Sequence, residues 1–237
     1  MLELALEGRV GALAIEAAFA TNGGPLVVTG PNGSGKTTLL LMALGVRKPA
    51  RGKLTVGGRV LFDSEQAIDV PVEARALGYL PQSFGLFPHL NARENVEFAL
   101  ACRHLGKSSR ERRELARTQL AELGIEALAE LRPGALSAGE RQRVALARAI
   151  AAKPRALLLD EPFAALDVGT RRQVRTFLRD YLERLALPTI VVSHDANDAR
   201  AIGGRIAVIE AGRVSQTGSW RELCENPASA FVRELTL

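Results

Sequence analysis

Apolar and polar residues roughly alternate from Leu2 to Leu6 and again from Ala12 to Phe19. That is the spacing of a strand with one buried face. Asn22-Gly23-Gly24-Pro25 punctuates the chain as a turn. Leu26-Val27-Val28-Thr29 then reads as a strand buried on both faces, and Thr37 to Leu44 as an apolar helix. Leu54 to Val56 and Val60 to Phe62 flank Gly57-Gly58, a hairpin signal, and Leu77 to Leu80 is a further strand ending at Pro81-Gln82.

Beyond Gln82 the period changes. Ala92 to Cys102 and Ser109 to Leu123 are helical, with Ala116, Leu120 and Leu123 along one face, and another helix runs from Ala138 to about Ala151. Ala156 to Asp160 returns to a strand. Val174, Phe177, Leu178, Tyr181, Leu182 and Leu185 form a helical stripe. Thr189 to Ser193 is a buried strand, Arg205 to Glu210 and Arg213 to Thr217 a hairpin around Ala211-Gly212, and two short helices close the chain. This order predicts an α/β fold with a mostly parallel sheet, an N-terminal antiparallel β-subdomain and an inserted α-helical lobe. A single domain is expected, its α/β core in residues 1–81 and about 153–237, its lobe in about 82–152.

Composition narrows the class. The 237 residues are 47% hydrophobic, enough for one sizeable core. No run approaches the ~20 apolar residues that span a bilayer. Met1-Leu2-Glu3-Leu4 has no basic segment leading into an apolar one, so no secretory signal is expected. Cys102 and Cys224 fit no metal or redox spacing and read as two reduced thiols. The net charge of +5 comes mainly from arginines interleaved with acids, as in Arg110-Glu111-Arg112-Arg113-Glu114. That is a solvated helix face rather than a nucleic-acid stripe, so no nucleic-acid partner is expected.

Gly30-Pro31-Asn32-Gly33-Ser34-Gly35-Lys36-Thr37 fits G-x-x-x-x-G-K-[ST] between a strand and a helix, the setting a phosphate-cradling loop requires. Glycines let backbone N–H groups approach the phosphates of a nucleoside triphosphate. Lys36 supplies a point charge to the β and γ phosphates, Thr37 a Mg²⁺ ligand, and Thr38 a hydrogen bond to an α-phosphate oxygen. Asp160 ends a buried strand, where it can hold Mg²⁺ directly or through water. Glu161, one residue on, is the candidate general base. Ser137 begins a helix, where it is an N-cap candidate and where N–H groups bind anions.

Leu136-Ser137-Ala138-Gly139-Glu140-Arg141-Gln142 lies between the two halves of this site. With it the chain, over about residues 2 to 220, resembles the ATP-binding cassette (ABC) family. The resemblance implies ATP and Mg²⁺ as ligands. It implies that Gln82 reaches Mg²⁺ and the attacking water, and that His194, in Ser193-His194-Asp195, contacts the γ-phosphate. It implies that Ser137 and Gly139 close on the nucleotide of a second copy, and that Asp167 crosses that dimer interface. The chain departs from the family in two places. Ala138 replaces a glycine, and no Phe, Tyr or Trp precedes Phe19 to stack on adenine. Leu13 or Val10 would lie under the base instead.

With one cassette and no membrane span, the transport path is expected in separate permease subunits. The resemblance then implies the ATPase subunit of an importer, a homodimer peripheral to the cytoplasmic face of the inner membrane and served indirectly by a solute-binding protein. Met1-Leu2-Glu3-Leu4, Gly58-Arg59-Val60-Leu61-Phe62-Asp63, Arg75, Gly78-Tyr79 and Leu86-Phe87-Pro88-His89-Leu90 resemble molybdate importer ATPases. Pro81 before Gln82 resembles iron-chelate or cobalamin importers. The regulatory C-terminal domain that many molybdate ATPases carry is not expected within these 237 residues. Molybdate or another oxyanion is the expected solute, an iron chelate, cobalamin or another solute the alternative. A DNA-maintenance ATPase would carry a long coiled coil, and a translation factor paired cassettes.

Overall fold

The computed structural model describes residues 1–22 and 24–237. In chain order, β1 (Leu2–Val10), β2 (Leu13–Thr21) and β3 (Pro25–Thr29) lead to α1 (Lys36–Leu44). Then come β4 (Arg51–Val56), β5 (Arg59–Asp63), β6 (Ile68–Asp69) and β7 (Leu77–Leu80). The helices α2 (Ala92–Cys102), α3 (Ser109–Glu122) and α4 (Ala138–Ala151) follow, then β8 (Ala156–Asp160), α5 (Val168–Leu185), β9 (Thr189–Val192) and α6 (Ala196–Ile202). β10 (Arg205–Glu210), β11 (Arg213–Gly218), α7 (Trp220–Glu225) and α8 (Ala230–Leu235) end the chain. The turn expected at residues 22–25 includes Gly23, which lies outside the described residues.

All the strands form one sheet in the order β6-β5-β4-β1-β2-β11-β10-β3-β9-β8-β7. Its far half, from β10 through β3, β9 and β8 to β7, is parallel. Its near half is antiparallel apart from one parallel contact, Arg213 opposite Glu16, that joins β11 to β2. The antiparallel subdomain is therefore continuous with the parallel core.

The period of two in the central strands separates two cores. Val27, Leu157, Leu159, Val191, Ile206 and Val208 face a core filled by α2 to α8. Leu26, Val28, Ala156, Leu158, Ile190, Val192, Ala207 and Ile209 face a second core with α1 and the inner face of β1, β4 and β5. Strands that read as continuous apolar runs thus serve both faces. The α5 stripe is buried at Val174, Leu178, Tyr181 and Leu182. Ala116, Leu120 and Leu123 are fully buried.

The far end of α1 is anchored by Arg75, which is 1% exposed. Its guanidinium donates to the terminal carbonyls of Met42 (3.2 Å) and Ala43 (2.7 Å), to Val70 O (2.7 Å) and to Asp69 Oδ1 (2.9 Å). Burial pulls its pKa down and the Asp69 carboxylate opposes that. The arginine satisfies carbonyls that the end of a helix otherwise leaves unpaired. The two-residue β6 and the 3₁₀ turns at Val72–Ala74, Glu126–Leu128 and Pro133–Ala135 were not anticipated, being too short to show a period.

Candidate functional site

β3 runs into Gly30, and α1 starts at Lys36. Gly30 has φ +149°, and a Cβ there would lie 1.9 Å from the carbonyl oxygen of Ile209 on β10, so only glycine fits. Gly35 caps α1 at φ +100° with no side-chain cap, and the first turn of the helix carries no acid. Such a helix start is an anion receptor, with outward N–H groups and the positive end of the dipole. Lys36 lies against it, 7% exposed, its Nζ donating to the carbonyls of Gly30 and Pro31 at 2.8 Å each. Burial lowers the Lys36 pKa, opposed by the charges of Glu161 and Asp160.

Asp160, the last residue of β8, is 3% exposed. Thr37 Oγ1 donates to its Oδ1 at 3.1 Å, and the Tyr79 hydroxyl lies 3.4 Å from its Oδ2. Burial pushes the Asp160 pKa up, and the Thr37 hydrogen bond works the other way. The Tyr79 phenol is pushed up to about 12, by burial first and the Asp160 charge second, and so stays a donor. Burial works against the charge on both Lys36 and Asp160, so each gains from a bound ion of opposite sign: phosphate at the lysine, a cation at the aspartate.

Glu161 follows with φ +49°, a left-handed conformation uncommon for a side chain with a Cβ. Its N–H donates to Val192 O at 3.0 Å, linking the ends of β8 and β9. Both its carboxylate oxygens lie 2.9 Å from Nδ1 of His194, which follows the buried Ser193. A carboxylate only accepts, so the imidazole carries hydrogen on Nδ1. The loop holding His194 is tied to α5: Arg171 and Arg175 pair with Asp195, Arg175 also with Asp198, and Ser193 Oγ donates to Asp198 at 2.7 Å.

Lys36, Thr37, Glu161 and His194 share one cleft of about 520 Å³ with Asn32, Gly33, Gly35, Thr38 and Gln82, and Asp160 reaches its edge through the Thr37 hydroxyl rather than lining it. Val10 and Leu13 line it too, a cross-strand pair at the tip of the β1–β2 hairpin. Ser34 is buried behind it with an unpartnered hydroxyl, and Pro31 contributes its carbonyl to Lys36.

Ser137, Gly139 and Asp167 do not line that cleft. Ser137 caps α4 in a reciprocal capping box, with its backbone N–H donating to Glu140 Oε2 at 2.7 Å and its hydroxyl accepting from the Glu140 N–H at 3.3 Å. Gly139 is buried against α5, where a Cβ would meet Thr170 Cγ2 at 3.0 Å. Asp167 caps α5, accepting from the Thr170 N–H at 3.1 Å.

Leu86 packs against the helical core, while Phe87 is half-buried, with its ring 4.7 Å edge-on from that of Phe98. Both phenylalanines line an apolar groove of about 350 Å³, with the β7 edge on one side and Cys102 and Arg148 on the other. Phe98 is 47% exposed. The sequence reading missed the groove, the Tyr79 contact and the Arg–Asp cluster at His194. Both cysteines are free. Among the described residues no helix is long and apolar enough to cross a membrane, and no group of three His, Cys, Asp or Glu residues could hold a metal ion.

A glycine loop with a buried lysine at a helix start, and an aspartate at the end of β8, separated from β3 by β9 in the parallel sheet, define a P-loop nucleotide-binding fold. The family profile described as "ABC transporter" matches residues 20–164, and the chain belongs to that family. It is 39% identical to the molybdenum import ATP-binding protein ModC of Paramagnetospirillum magneticum, over 100% of this chain and 63% of that one. It is 40% identical to the Fe(3+) ions import ATP-binding protein FbpC 1 of Rhizobium meliloti, over 88% and 57%. It is 38% identical to the probable sulfate/thiosulfate import ATP-binding protein CysA of Chlorella vulgaris, over 89% and 86%. The chain spans about three fifths of the length of the first curated relatives it matches. A dimeric ATP-binding cassette solved in a post-hydrolysis state with ADP and phosphate superposes with a TM-score of 0.75 at 30% identity, covering 92% of this chain and 98% of that one.

Proposed function

We propose that this chain is the ATP-hydrolysing subunit of an importer. Two copies sandwich ATP, and the closed pair drives separate permease subunits at the inner face of the cell membrane. The observation that carries this is the Glu161–His194 pair at 2.9 Å, in the cleft that holds Lys36 and Thr37. Glu161 takes a proton from the attacking water as general base. His194 holds that carboxylate from one side and faces the γ-phosphate. Lys36, the loop of residues 30–35 and Thr38 bind the phosphates, and Gln82 reaches the water and the metal. Thr37, Asp160 and Gln82 would hold Mg²⁺. The hydroxyl and carboxylate 3.1 Å apart are hard oxygen donors that suit it, since Mg²⁺ takes few protein ligands beside phosphate oxygens. When bound, Mg²⁺ would neutralise charge developing on the phosphates.

Ser137 and Gly139 of a second copy complete the site, with Asp167 at the seam, which fits their lying outside their own chain's cleft. Residues 1–81 and about 153–237 act as the core and about 82–152 as the lobe. The groove at Phe87 and Phe98 takes the permease, being apolar, half-exposed and lined by Phe87 five residues after Gln82 in the chain. Molybdate or another oxyanion is the preferred solute, delivered by a solute-binding protein. The Met1-Leu2-Glu3-Leu4 and Leu86-Phe87-Pro88-His89-Leu90 segments and the similarity to the molybdenum import protein support it. A sulfate or ferric-ion importer is the second reading, since relatives with those names match at comparable identity.

Glu161→Gln tests the chemistry. ATP binding is retained, hydrolysis falls by about 10²- to 10⁴-fold as for loss of a general base, and ATP-dependent dimers accumulate in light scattering. Near-normal turnover removes Glu161 as the base. In vesicles with the permease, the binding protein whose loaded form most stimulates ATPase identifies the solute.

A further inference from the structure

The proposed chemistry leaves the Tyr79 hydroxyl, which contacts Asp160, without a role. In the parallel register of β7 and β8, Tyr79 stands opposite Leu158, and Asp160 lies two residues further along the same face. A long side chain leaning along its strand spans that offset, and the phenol oxygen comes within 3.4 Å of Asp160 Oδ2. The opposite oxygen, Oδ1, receives Thr37 at 3.1 Å. The carboxylate is thus held at both ends, by a hydroxyl from α1 and one from β7. Asp160 is buried, so few other donors are within its reach.

We infer that Tyr79 is a positioning residue for Asp160. Its hydroxyl fixes the rotation of the carboxylate so that Oδ1 stays beside Thr37, where the two oxygens together receive a divalent cation. Donors that orient a metal-binding carboxylate tune metal affinity without touching the metal. Tyr79 packs against the core shared with α1, on the same face of the sheet as Leu158. The inference rests on the proposed function, in that it takes the cation to arrive with ATP.

The test is Tyr79→Phe in the full chain, which keeps the ring and removes only the hydroxyl. A fluorescent ATP analogue is titrated into wild type and variant, once with EDTA and once with Mg²⁺, and both proteins are melted without nucleotide. The expected result is equal affinity in EDTA, equal melting temperature, and affinity in Mg²⁺ about three- to tenfold weaker in the variant, the net scale of one ordinary hydrogen bond, as befits a contact as long as 3.4 Å. Equal gain from Mg²⁺ in both proteins overturns the inference and leaves the proposed function standing. So does a variant that melts lower and binds equally weakly in both conditions, since Tyr79 then serves packing. Wild type that binds no ATP in either condition overturns the proposed function, and this inference with it.

Discussion

The proposed function gives two helix starts in this molecule a part in phosphate recognition, and they are built in opposite ways. α1 begins at a glycine, with no side-chain cap and no acid in its first turn, and a buried lysine lies against it. α4 begins at Ser137 with both halves of a capping box formed, so its own Glu140 already holds the Ser137 N–H and hydroxyl. The first end is prepared for an anion within one chain. The second is satisfied within its own chain and has to exchange internal hydrogen bonds for external ones. On the proposed function, the difference would separate binding, a property of α1 alone, from closure, which would need α4 to meet something outside.

The most severe way to break this contrast is Lys36→Ala. The ~1.5–3 kcal/mol of a charged hydrogen bond corresponds to roughly ten- to hundredfold weaker nucleotide binding by equilibrium titration. The melting temperature without nucleotide is expected not to fall, because burial already disfavours the Lys36 charge. Binding within threefold of wild type would mean that the backbone of residues 30–35 suffices.

Ser137→Ala addresses the other end. Loss of an N-cap costs about 1 kcal/mol, or roughly 2–4 °C in melting temperature for a chain of this size. Nucleotide affinity of the isolated chain should be unchanged while ATPase activity falls. Weakened binding in the isolated chain would place α4 on its own chain's nucleotide.

α2 provides the smallest effect and a control far from chemistry. Asn91 and Glu94 close its start, and Glu130 receives Arg93 at 3.0 and 3.1 Å. Those hydrogen bonds, with a weaker one from Arg117, pull the Glu130 pKa down to about 2. A carboxylate lowered by folding stabilises above its unfolded value, near 4.5, and the contribution disappears as pH falls toward 2. Glu130→Gln should therefore cost only ~0.2–1 kcal/mol at pH 7, since Glu130 is 59% exposed, and nothing near pH 2. Melting both proteins across that range checks the convergence.

The same contrast marks what the sequence made legible. Lys36, Thr37 and the glycines were readable because one strand, one loop and one helix hold them in consecutive residues. β7, α2 and α4 were placed residue for residue, their ends marked by Pro81, Asn91 and Ser137. Asp160 and Glu161 were readable because a buried run ends in carboxylates. Tyr79 beside Asp160 was not, because 81 residues separate them and only the register of β7 on β8 brings them together. The Arg171 and Arg175 pairs with Asp195 and Asp198 were hidden because these arginines look like any solvated helix face. The groove was hidden because Phe87 and Phe98 read separately as a loop residue and a helix residue. Val10 and Leu13 were named as neighbours of the base, and they do line the cleft. The sequence alone could not say that a hairpin tip carries Leu13 over Gly35, where a Cβ would lie 3.4 Å from it.

The left-handed backbone at Glu161 bears on how such a site persists through mutation. A residue with a Cβ held at φ +49° stores on the order of 1 kcal/mol that glycine would release. Selection for a sturdier fold alone would therefore erode this position, drifting toward a residue that relaxes the turn and removes the carboxylate. The glutamate stays only under selection for what it does. Stability screens blind to activity would rank its loss among the improvements, and a library bred for heat resistance would be expected to lose its chemistry here first.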